Sequence, residues 1–382
     1  MHICFVTSEY PINDLPHGGV ATFIRNLGYK LVNKDIQVSV ILIDSNEQGE
    51  AMVLDNGIKV YFLPKKSILP FKFISISIAV NKIIKNIHAT APIDFVETPE
   101  LGLAFINKIK GIQYVIRMNG GHHFFALAEN RKTEWSKVWQ EKRSFKKADH
   151  IIAVSQYVAE TTRSLLQLGD RKITILYNPI DSKRFYQSDS TKMEPFSIFF
   201  AGTIIEKKGI RQLVQSLNYL IDDYPEVKLY IAGRDATLPG TKIPYRPILE
   251  KEITDKLKDT IIFLGTIPNF DMPKYIEKAN LCCYPSHMEA MPLAWLEVLA
   301  MGKTFVGSTT GPGPEAVVHN QTGLLADPFN PEDIADKIRY VFENKDLSIQ
   351  LGVNAREKII KDFDVDVMVE KNISFFKSLI AK

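Results

Sequence analysis

The sequence contains few cysteines and lacks any long apolar run. Three of its 382 residues are cysteines, and two of them, Cys282 and Cys283, are adjacent. Three cysteines cannot build a disulfide framework, so we expect reduced thiols and a cytoplasmic protein. No segment approaches the ~20 apolar residues that a membrane-spanning helix requires. The first residues, Met-His-Ile-Cys-Phe-Val, lack the basic and long apolar parts of a signal peptide and are expected to form a strand.

The chain also lacks a strong net charge. Its formal net charge is +3, and its contents of 45% hydrophobic and 24% charged residues are ordinary for a globular protein. This balance gives no reason to expect a nucleic-acid partner. A chain of 382 residues is long for a single hydrophobic core, so we expect two domains.

Positive charge is concentrated in residues 61–150, which hold 15 Lys/Arg and 7 Asp/Glu. One cluster, residues 131–147, has the pattern of a basic helix in which Trp135 and Trp139 are one turn apart and share a face. We expect a solvated basic face with both tryptophans packed inward. The alternative is a face that makes a peripheral contact with an anionic membrane or approaches an anionic acceptor.

Short apolar segments rich in Val, Ile and Phe alternate with helical patterns, which predicts parallel sheets with right-handed crossovers. The predicted strands are 2–7, 37–43, 58–63, 95–97, 114–117, 151–154, 173–176, 197–201, 228–232, 261–264, 281–284 and 304–307. A polar stretch, residues 187–195, predicts an interdomain linker. We therefore expect an α/β protein with two doubly wound, Rossmann-like domains facing a central cleft, and ligands beyond the carboxyl ends of the strands.

Two glutamates eight positions apart, Glu289 and Glu297, bracket the start of an apolar helix. Pro292 can serve as the first helical residue because its missing N–H is not needed there. Glu289 would then lie in the preceding loop, near the free amides of Met291 and Leu293 and the positive end of the helix. Carboxylates suit sugar hydroxyls and free amides at a helix start suit phosphates, so this stretch predicts a nucleotide-sugar site.

The same stretch carries a family signature. The signature consists of Ser-His-Met-Glu289, Pro-Leu293, Leu-Glu-Val-Leu-Ala-Met-Gly-Lys303 and Gly-Pro-Gly-Pro-Glu315. In these segments the sequence resembles the retaining glycosyltransferases of family 4, which have the GT-B fold. Further family-like segments follow the family's order and extend the resemblance over essentially the whole chain. They are Gly18-Gly19-Val, 148–155, 176–181, 200–209, 229–233 and 263–265.

The resemblance implies a role for each matching residue in a donor site without cofactor or bound metal. Glu297 is implied to bind the donor ribose, and Glu289 the hydroxyls of the transferred sugar. Lys208 is implied to neutralise the diphosphate leaving group. Gly18 and Gly19 are implied to let the first-domain backbone approach the phosphates, which a Cβ would block. The implied donor-binding residues are Gly18, Gly19, Gly202, Thr203, Lys208, Arg234, Glu289, Ala290, Met291, Pro292, Leu293 and Glu297.

Two positions in this donor region depart from the family pattern. Thr203 stands where the family usually has an arginine that pairs with the lysine on the diphosphate. Arg234 is our candidate for the missing cation. Ala290 replaces a usual glycine, and we expect this change to shape the sugar pocket.

A third departure concerns a histidine that the family carries near the reacting carbon. In strict register that position is Asn119, whereas His122 and His123 follow closely. We favour His122 as the substitute, with Asn119 and His123 as alternatives, because a histidine there could hydrogen-bond the sugar or handle the acceptor proton. Glu97, at the end of a first-domain strand, completes the predicted acceptor side; its alternative is a simple β-to-α turn. The predicted catalytic residues are His122, Glu289 and Lys208.

Two motifs are predicted not to carry the chemistry that their patterns suggest. Asp362, Asp364 and Asp366 form an Asp-x-Asp pattern, but they precede an amphipathic helix and are predicted to stabilise its N-terminus instead of holding a metal. The Gly-Pro-Gly-Pro-Glu315 loop fits a dinucleotide fingerprint, but its two prolines and late position favour a donor-side loop that presents Glu315.

Together these features predict a hexosyltransferase that moves a sugar from a nucleoside-diphosphate sugar to a saccharide or lipid-linked saccharide, in bacterial surface polysaccharide or lipopolysaccharide assembly. The predicted divisions are 1–190 for an acceptor-side domain, 191–360 for a nucleotide-sugar domain and, from the family resemblance, 361–382 for a helix returning to the first domain. The alternatives are a nucleotide-sugar epimerase, a phosphorylase and a catalytically silent sugar-nucleotide-binding protein. The nucleotide, sugar, acceptor and oligomeric state are not identified by the sequence.

Overall fold

The polypeptide folds into two compact units, each built on its own sheet. The first unit contains Met1–Pro179 and Val365–Lys382, and the second contains Ile180–Asp364. The computed structural model describes residues 1–11, 18–43, 52–63, 72–238 and 240–380. For residues 72–74 it describes the backbone and not the side chains.

Within the described residues, the sheet of the first unit has eight strands. They are β1 (His2–Thr7), β2 (Gln37–Leu42), β3 (Met52–Asp55), β4 (Ile58–Phe62), β5 (Phe95–Thr98), β6 (Gln113–Met118), β7 (His150–Ala153) and β8 (Ile173–Ile175). They lie in the order β3-β4-β2-β1-β5-β6-β7-β8, parallel except that β3 is antiparallel to β4. Their Val- and Ile-rich sequences suit strands that are covered on both faces.

Helices connect these strands. In chain order they are α1 (Gly19–Val32), α2 (Lys72–Thr90), α3 (His122–Ala128), α4 (Trp135–Lys147) and α5 (Gln156–Leu166). The Ser155 hydroxyl caps α5 by accepting from the Val158 amide.

The second unit contains a parallel sheet that has six strands among the described residues. They are β9 (Ser197–Ala201), β10 (Lys228–Ala232), β11 (Ile261–Gly265), β12 (Leu281–Cys283), β13 (Phe305–Ser308) and β14 (Leu324–Ala326), in the order β11-β10-β9-β12-β13-β14. The helices are α6 (Ile210–Ser216), α7 (Arg246–Glu250), α8 (Met272–Lys278), α9 (Leu293–Ala300), α10 (Gly313–Ala316), α11 (Pro331–Glu343) and α12 (Lys345–Asp362).

The last helix, α13 (Val365–Ile380), belongs to the first unit. Its apolar face joins the core formed with α1, and the ring of Phe376 lies 4.8 Å from that of Phe95 in β5. Lys30 of α1 forms an ion pair of 2.6 Å with Asp366 at the start of α13. The polypeptide therefore crosses into the second unit and returns.

The unit boundaries differ from those expected from the sequence. Residues 187–195 were expected to link the domains, but the first boundary lies after Pro179. The reason is that Ile180 N already donates to the Phe363 carbonyl at 3.0 Å, and Ser188 N to the Met301 carbonyl at 2.8 Å. These hydrogen bonds hold the polar stretch to the second unit.

The tryptophans of α4 face outward. Trp135 is 84% exposed and Trp139 50% exposed, so the expectation that both pack inward is wrong. Instead Glu141, Ser144 and Phe145 form the buried face of the helix. Among the described residues, none of the helices combines the length and apolar character needed to span a bilayer. The three cysteines are free and buried.

Each sheet has one point where the chain reverses its direction of strand addition. In the first sheet it lies between β1 and β5, and in the second between β9 and β12. The loops that follow these neighbouring strands diverge and leave a crevice, which is where open α/β sheets bind ligands. The predicted site residues lie on these loops, on those beside them and at the starts of the helices that follow, except Glu97, which lies within β5.

Candidate active site

The strongest candidate site lies at the switch point of the second sheet. The loop after β9 carries Lys208, the loop after β12 carries Glu289, and their side chains form an ion pair. Glu289 is 9% exposed, so water screens the pair only in part. The structure thus joins two residues for which the family resemblance implies separate roles, one at the diphosphate and one at the sugar.

Backbone contacts hold the two loops together. Glu206–Lys208 form a 3₁₀ turn that ends at Gly209, whose φ is +68°. A Cβ on Gly209 would lie 1.8 Å from the carbonyl oxygen of Pro285, so both the backbone conformation and the space require glycine. His287 N also donates to the Lys207 carbonyl at 2.9 Å. These contacts fix the lysine opposite the glutamate.

A carboxylate that the sequence did not single out anchors the turn before the lysine. Glu206 accepts from Arg211 at 2.7 and 2.9 Å, from Gln212 at 3.1 Å and from the Tyr245 hydroxyl. Although burial opposes it, hydrogen bonding from Arg211 and Tyr245 lowers the pKa of Glu206 to about 2. Glu206 and Arg211 are five residues apart, outside the i, i+3 and i, i+4 spacings that pair on a helix, so the sequence pattern carries no signal for this anchor.

Helix α9 follows Glu289 and supplies backbone amides. It begins at Leu293, and Pro292 is its N-cap, with φ −75° and ψ 128°. The expectation that Pro292 is the first helical residue is wrong by one position, because this extended ψ lies outside the helical region. Met291 is 3% exposed and fixes the turn in the core. Trp295 N donates to the Pro292 carbonyl at 3.2 Å, and the amides of Leu293 and Ala294 lie at the positive end of the helix.

Glu297 lies about one turn inside α9, among buried neighbours. Leu296 and Val298 are both fully buried. Although Glu297 keeps some exposed surface, burial raises the pKa of its carboxyl to about 7, and the positive charge of Arg184 opposes this. A carboxyl with this pKa accepts hydrogen bonds when ionised and can donate one when protonated, and both modes suit hydroxyl ligands.

Glycines also bring the ends of β9 and β10 together. A Cβ on Gly233 would lie 1.8 Å from the carbonyl oxygen of Gly202. Nearby, Ile204 N donates to the Arg234 carbonyl at 2.9 Å. The backbone of Arg234 therefore runs beside Thr203, and its side chain is exposed. This position is compatible with the predicted replacement of the family arginine, which stays a prediction.

The Gly-Pro-Gly-Pro loop after β13 packs on the Glu289 loop. Thr310 Oγ1 donates to the His287 carbonyl at 2.8 Å. Gly311 has a φ of +65°, and its Cβ position would lie 3.4 Å from the Glu289 amide nitrogen. The loop thus supports the Glu289 turn from the side. Glu315 is half-buried in α10, and its presentation to a donor stays a prediction.

At the switch point of the first sheet, the glycine pair begins α1. Gly18 is the N-cap, Gly19 is the first helical residue, and both are exposed. A Cβ on Gly18 would come within 2.5 Å of Glu9 Oε2. The helix start is accessible, and its approach to phosphates stays a prediction.

Glu97 is buried in the first unit. It lies within β5, is 3% exposed, and both its oxygens accept from Arg117, at 2.6 and 3.2 Å. Arg117 also donates to Asn372 of α13 at 2.7 Å and lies over the ring of Phe23. Glu97 is therefore engaged in the core of the first unit, and its acceptor-side role stays a prediction. A residue inside a strand covered on both faces points into the core, and here it anchors the last helix.

Two other carboxylates hold the turn that precedes α3. Glu100 is 3% exposed and accepts from the Asn119 amide at 2.6 Å. Glu141 of α4 is 1% exposed, accepts from the amides of His122 at 3.1 Å and His123 at 3.3 Å, and pairs with the His123 ring. Burial, reinforced by the Glu141 charge, raises the pKa of Glu100 to about 7.

These contacts separate the candidates for the family histidine. The His123 ring is committed to Glu141. The side-chain amide of Asn119 donates to the Arg117 carbonyl at 3.3 Å, which turns its NH₂ group towards its own strand. Both alternatives are therefore engaged in holding the turn.

The ring of His122 has one nitrogen engaged by the backbone. Its Nε2 accepts from the Glu134 amide at 3.1 Å. Burial, together with the charge of Arg131, lowers the pKa of His122, so the ring is neutral near pH 7. A nitrogen that accepts a hydrogen bond carries no proton, which places the proton of His122 on Nδ1. As a donor to a hydroxyl oxygen, His122 suits the site better than His123.

The aspartates of the Asp-x-Asp pattern have separate partners. Asp362 pairs with Lys358 at 3.1 Å, Asp364 accepts from the Ser182 hydroxyl, and Asp366 lies in the first turn of α13. Within the described ranges, His, Cys, Asp and Glu side chains do not form a group of three that could hold a metal ion.

Two family models match successive parts of the chain. The model described as Glycosyltransferase Family 4 matches residues 17–184, and the model described as Glycosyl transferases group 1 matches residues 182–358. The second match starts close to the boundary between the two units.

Curated relatives are glycosyltransferases. A glycogen synthase of Mycobacterium tuberculosis is 24% identical over 269 residues, which are 70% of this chain and 62% of that protein, so the match spans less than two thirds of the relative. N,N'-diacetylbacillosaminyl-diphospho-undecaprenol α-1,3-N-acetylgalactosaminyltransferase of Campylobacter jejuni is 22% identical over 392 residues, 97% of this chain and 99% of that protein.

Solved structures share the fold over the whole chain. A sucrose-phosphate synthase from Thermosynechococcus elongatus superposes with a TM-score of 0.84 at 19% identity, covering 100% of this chain and 99% of that one. Anabaena HepE in complex with UDP and glucose gives a TM-score of 0.76 at 17% identity, covering 99% and 100%. The expected fold class is confirmed. With both halves matched, the chain belongs to the group 1 glycosyltransferases of family 4, which have the GT-B fold.

Proposed function

We propose that this protein transfers a sugar from a nucleoside-diphosphate sugar to an acceptor hydroxyl with retention of anomeric configuration. The observation that carries the proposal is the Lys208–Glu289 ion pair at the switch point of the second sheet. The cation suits the diphosphate of such a donor, and the adjacent carboxylate suits the hydroxyls of its sugar. Family membership supports the reaction class.

The reaction places negative charge on the departing diphosphate. In the proposed step, the bond between the anomeric carbon and the phosphate oxygen breaks as the acceptor oxygen bonds to the same face of that carbon. The acceptor proton passes to the leaving diphosphate. Lys208 and the first-turn amides of α9 stabilise the developing charge, so a bound metal is not required by this proposal.

The remaining contacts orient the donor. We propose that Glu297 binds the ribose hydroxyls and that Glu289 binds hydroxyls of the transferred sugar. A sugar that hydrogen-bonds Glu289 competes with Lys208 for that carboxylate and frees the lysine for the diphosphate. From the first unit, His122 is proposed to donate its Nδ1 proton to a hydroxyl oxygen.

The acceptor is proposed to be a saccharide or lipid-linked saccharide of a bacterial surface polysaccharide or lipopolysaccharide, in the cytoplasm. Support comes from the Campylobacter relative, which is named for a sugar carried on diphospho-undecaprenol. The HepE complex with UDP and glucose supports UDP-sugars as the first donors to try.

The test is a thermal-shift screen of the full chain against UDP-, GDP-, ADP- and TDP-sugars, followed by product analysis with the binding donor. We expect one nucleotide class to raise the melting temperature. Release of nucleoside diphosphate should depend on a saccharide acceptor, and the anomeric proton coupling should show the donor's configuration in the product.

Other outcomes separate the alternatives. Interconversion of the donor sugar without an acceptor would indicate an epimerase, and release of sugar phosphate a phosphorylase. Donor binding without turnover, across many acceptors, would favour a silent binding protein. No thermal shift with any of the four donor classes would overturn the proposal.

A further inference from the structure

Helix α4 exposes two indole rings to water, and exposure of apolar surface is unfavourable. Trp135 is 84% exposed and Trp139 50% exposed, whereas the third tryptophan of the chain, Trp295, is 1% exposed. Large apolar side chains grouped on a surface mark a place where something binds.

Cations continue the same face. Positions i, i+4, i+7, i+8 and i+11 span about 100° of a helix circumference. In α4 these positions form what we call the indole–cation face: Trp135, Trp139, Lys142, Arg143 and Lys146. All five are exposed, and none is a carboxylate. The opposite side of the helix, with Glu141 and Phe145, is buried against the unit.

The cations on this face are oriented by the protein but not neutralised by it. Arg143 donates to the Ala104 carbonyl at 2.7 Å and its guanidinium lies 5.4 Å from the centre of the Trp139 ring. In the described part of the chain, Lys142 and Lys146 take part in no ion pair. The one carboxylate inside α4, Glu141, is buried and paired with His123. The face therefore presents uncompensated positive charge beside apolar rings.

We propose that the indole–cation face docks the protein on an anionic lipid bilayer. Indole rings prefer the headgroup region, where the ring is in apolar surroundings and its N–H stays hydrated. Lysine and arginine on the same face are attracted to the negative surface potential of anionic lipids. A helix lying flat in the interface uses both at once. This inference does not depend on the transfer reaction, because it concerns binding alone.

The test measures binding of the full chain to vesicles of phosphatidylcholine, with and without phosphatidylglycerol. A change in tryptophan fluorescence reports binding through Trp135 and Trp139, because the emission of the buried Trp295 should not change. We expect a blue shift and quenching by brominated lipid with the anionic vesicles, and binding that weakens as salt is added.

Two pairs of variants separate the contributions. Trp135→Ala with Trp139→Ala should lower the partition coefficient about ten-fold or more. Lys142→Gln with Lys146→Gln should lower it about five-fold per residue, the ratio that corresponds to about 1 kcal/mol. The matched controls are Phe270→Ala, which removes a ring 72% exposed in the second unit, and Lys256→Gln with Lys258→Gln. These controls should bind vesicles like the unchanged protein.

Three results would overturn the proposal. The first is equal binding to both vesicle types, or none to either. The second is anionic binding that survives loss of both indoles, since charge alone would then suffice. The third is a dimer in sedimentation experiments that the tryptophan variants abolish, because the face would then bind a second copy.

Discussion

The switch points of the two sheets carry similar side chains that make different contacts. At the first, Glu100 and Glu141 are almost fully buried and accept from backbone amides of the turn at 119–123. At the second, Glu289 is less buried and its partner is the flexible side chain of Lys208. One pair of carboxylates is part of the fold, and the other carboxylate has a partner that a ligand can replace.

The difference shows why burial alone does not identify a functional carboxylate. Amide donors are fixed by the backbone, so a carboxylate bound to them cannot exchange partners without unfolding the turn. A lysine side chain can move away and bind a ligand instead. We therefore expect losses of activity at the second switch point and losses of stability at the first.

The largest effect is expected from breaking the Lys208–Glu289 pair. Lys208→Ala and Glu289→Ala should each lower turnover by roughly a hundred- to a thousand-fold, because each removes stabilisation of the transition state. The free energy of unfolding should fall by only about 1 kcal/mol, since the pair is partly exposed. Steady-state kinetics with the identified donor and chemical denaturation measure the two effects.

The neighbouring lysine provides the control for this comparison. Lys207→Ala should keep turnover within a few-fold, because the Lys207 carbonyl that contacts the other loop is retained in the variant. The double variant of Lys208 and Glu289 should be no slower than the worse single variant, as expected for groups that act as a unit. Additive losses would show that the two residues act separately.

Much of the fold could be predicted from sequence periodicity. Strands β1, β9 and β10 have the predicted bounds, because continuous apolar runs describe strands buried on both faces. Strands β3 and β14 were not predicted. Met52–Asp55 alternates exposed and half-buried residues at a sheet edge, and Leu324–Ala326 has three residues, too few for a periodic signal.

The donor side of the candidate site was more predictable than the acceptor side. Lys208 and Glu289 lie in motifs that follow the family's order along the chain, whereas Glu97 lies inside β5 and Glu100 lies beyond its end. Carboxylates beyond a strand end reach neighbouring loops, and those inside the strand reach the core. The role of Glu141 is not predicted, because Trp135 and Trp139 were expected on the buried face of α4. The buried face instead includes positions 141, 144 and 145.

The next effect tests how the second switch point is built. Gly209→Ala should lower the free energy of unfolding by about 3 kcal/mol, because it combines a left-handed backbone with a clash against the Pro285 carbonyl. Gly240→Ala is the control: φ there is +74°, but nothing lies within 4 Å of its Cβ position. That variant should lose about 1 kcal/mol. Equal losses in denaturant unfolding would mean that the loop contact contributes nothing.

At the first switch point, Glu141→Ala should lower the free energy of unfolding by about 2 kcal/mol, since it leaves two buried amides and the His123 ring without their acceptor. Glu134→Ala is the control, because Glu134 is the N-cap residue of the same helix, and its exposed side chain makes no capping hydrogen bond. If Glu141→Ala instead left stability unchanged and abolished turnover, the two switch points would not differ as described.

The smallest effect concerns pH and separates binding from stability at a single carboxyl. The folded protein holds the Glu297 proton more tightly than the unfolded chain, with a pKa of about 7 against 4.5. The stabilisation from this proton is complete at pH values below 4.5 and is lost as the pH rises to about 7. Glu297→Gln should therefore gain stability over the unchanged protein across this range, and Glu332→Gln, exposed on α11, should gain nothing.

Nucleotide binding should change in the opposite direction. The ionised form of Glu297 is the better acceptor for two ribose hydroxyls, so affinity should rise a few-fold as the pH passes about 7. Calorimetric titration with UDP at a series of pH values measures this change, and Glu297→Gln should bind weakly with little pH dependence. Stability that falls while affinity rises would show that this carboxyl is kept for the ligand. If the affinity for UDP instead falls with the free energy of unfolding as the pH rises, Glu297 has a structural role, like Glu100 of the first unit.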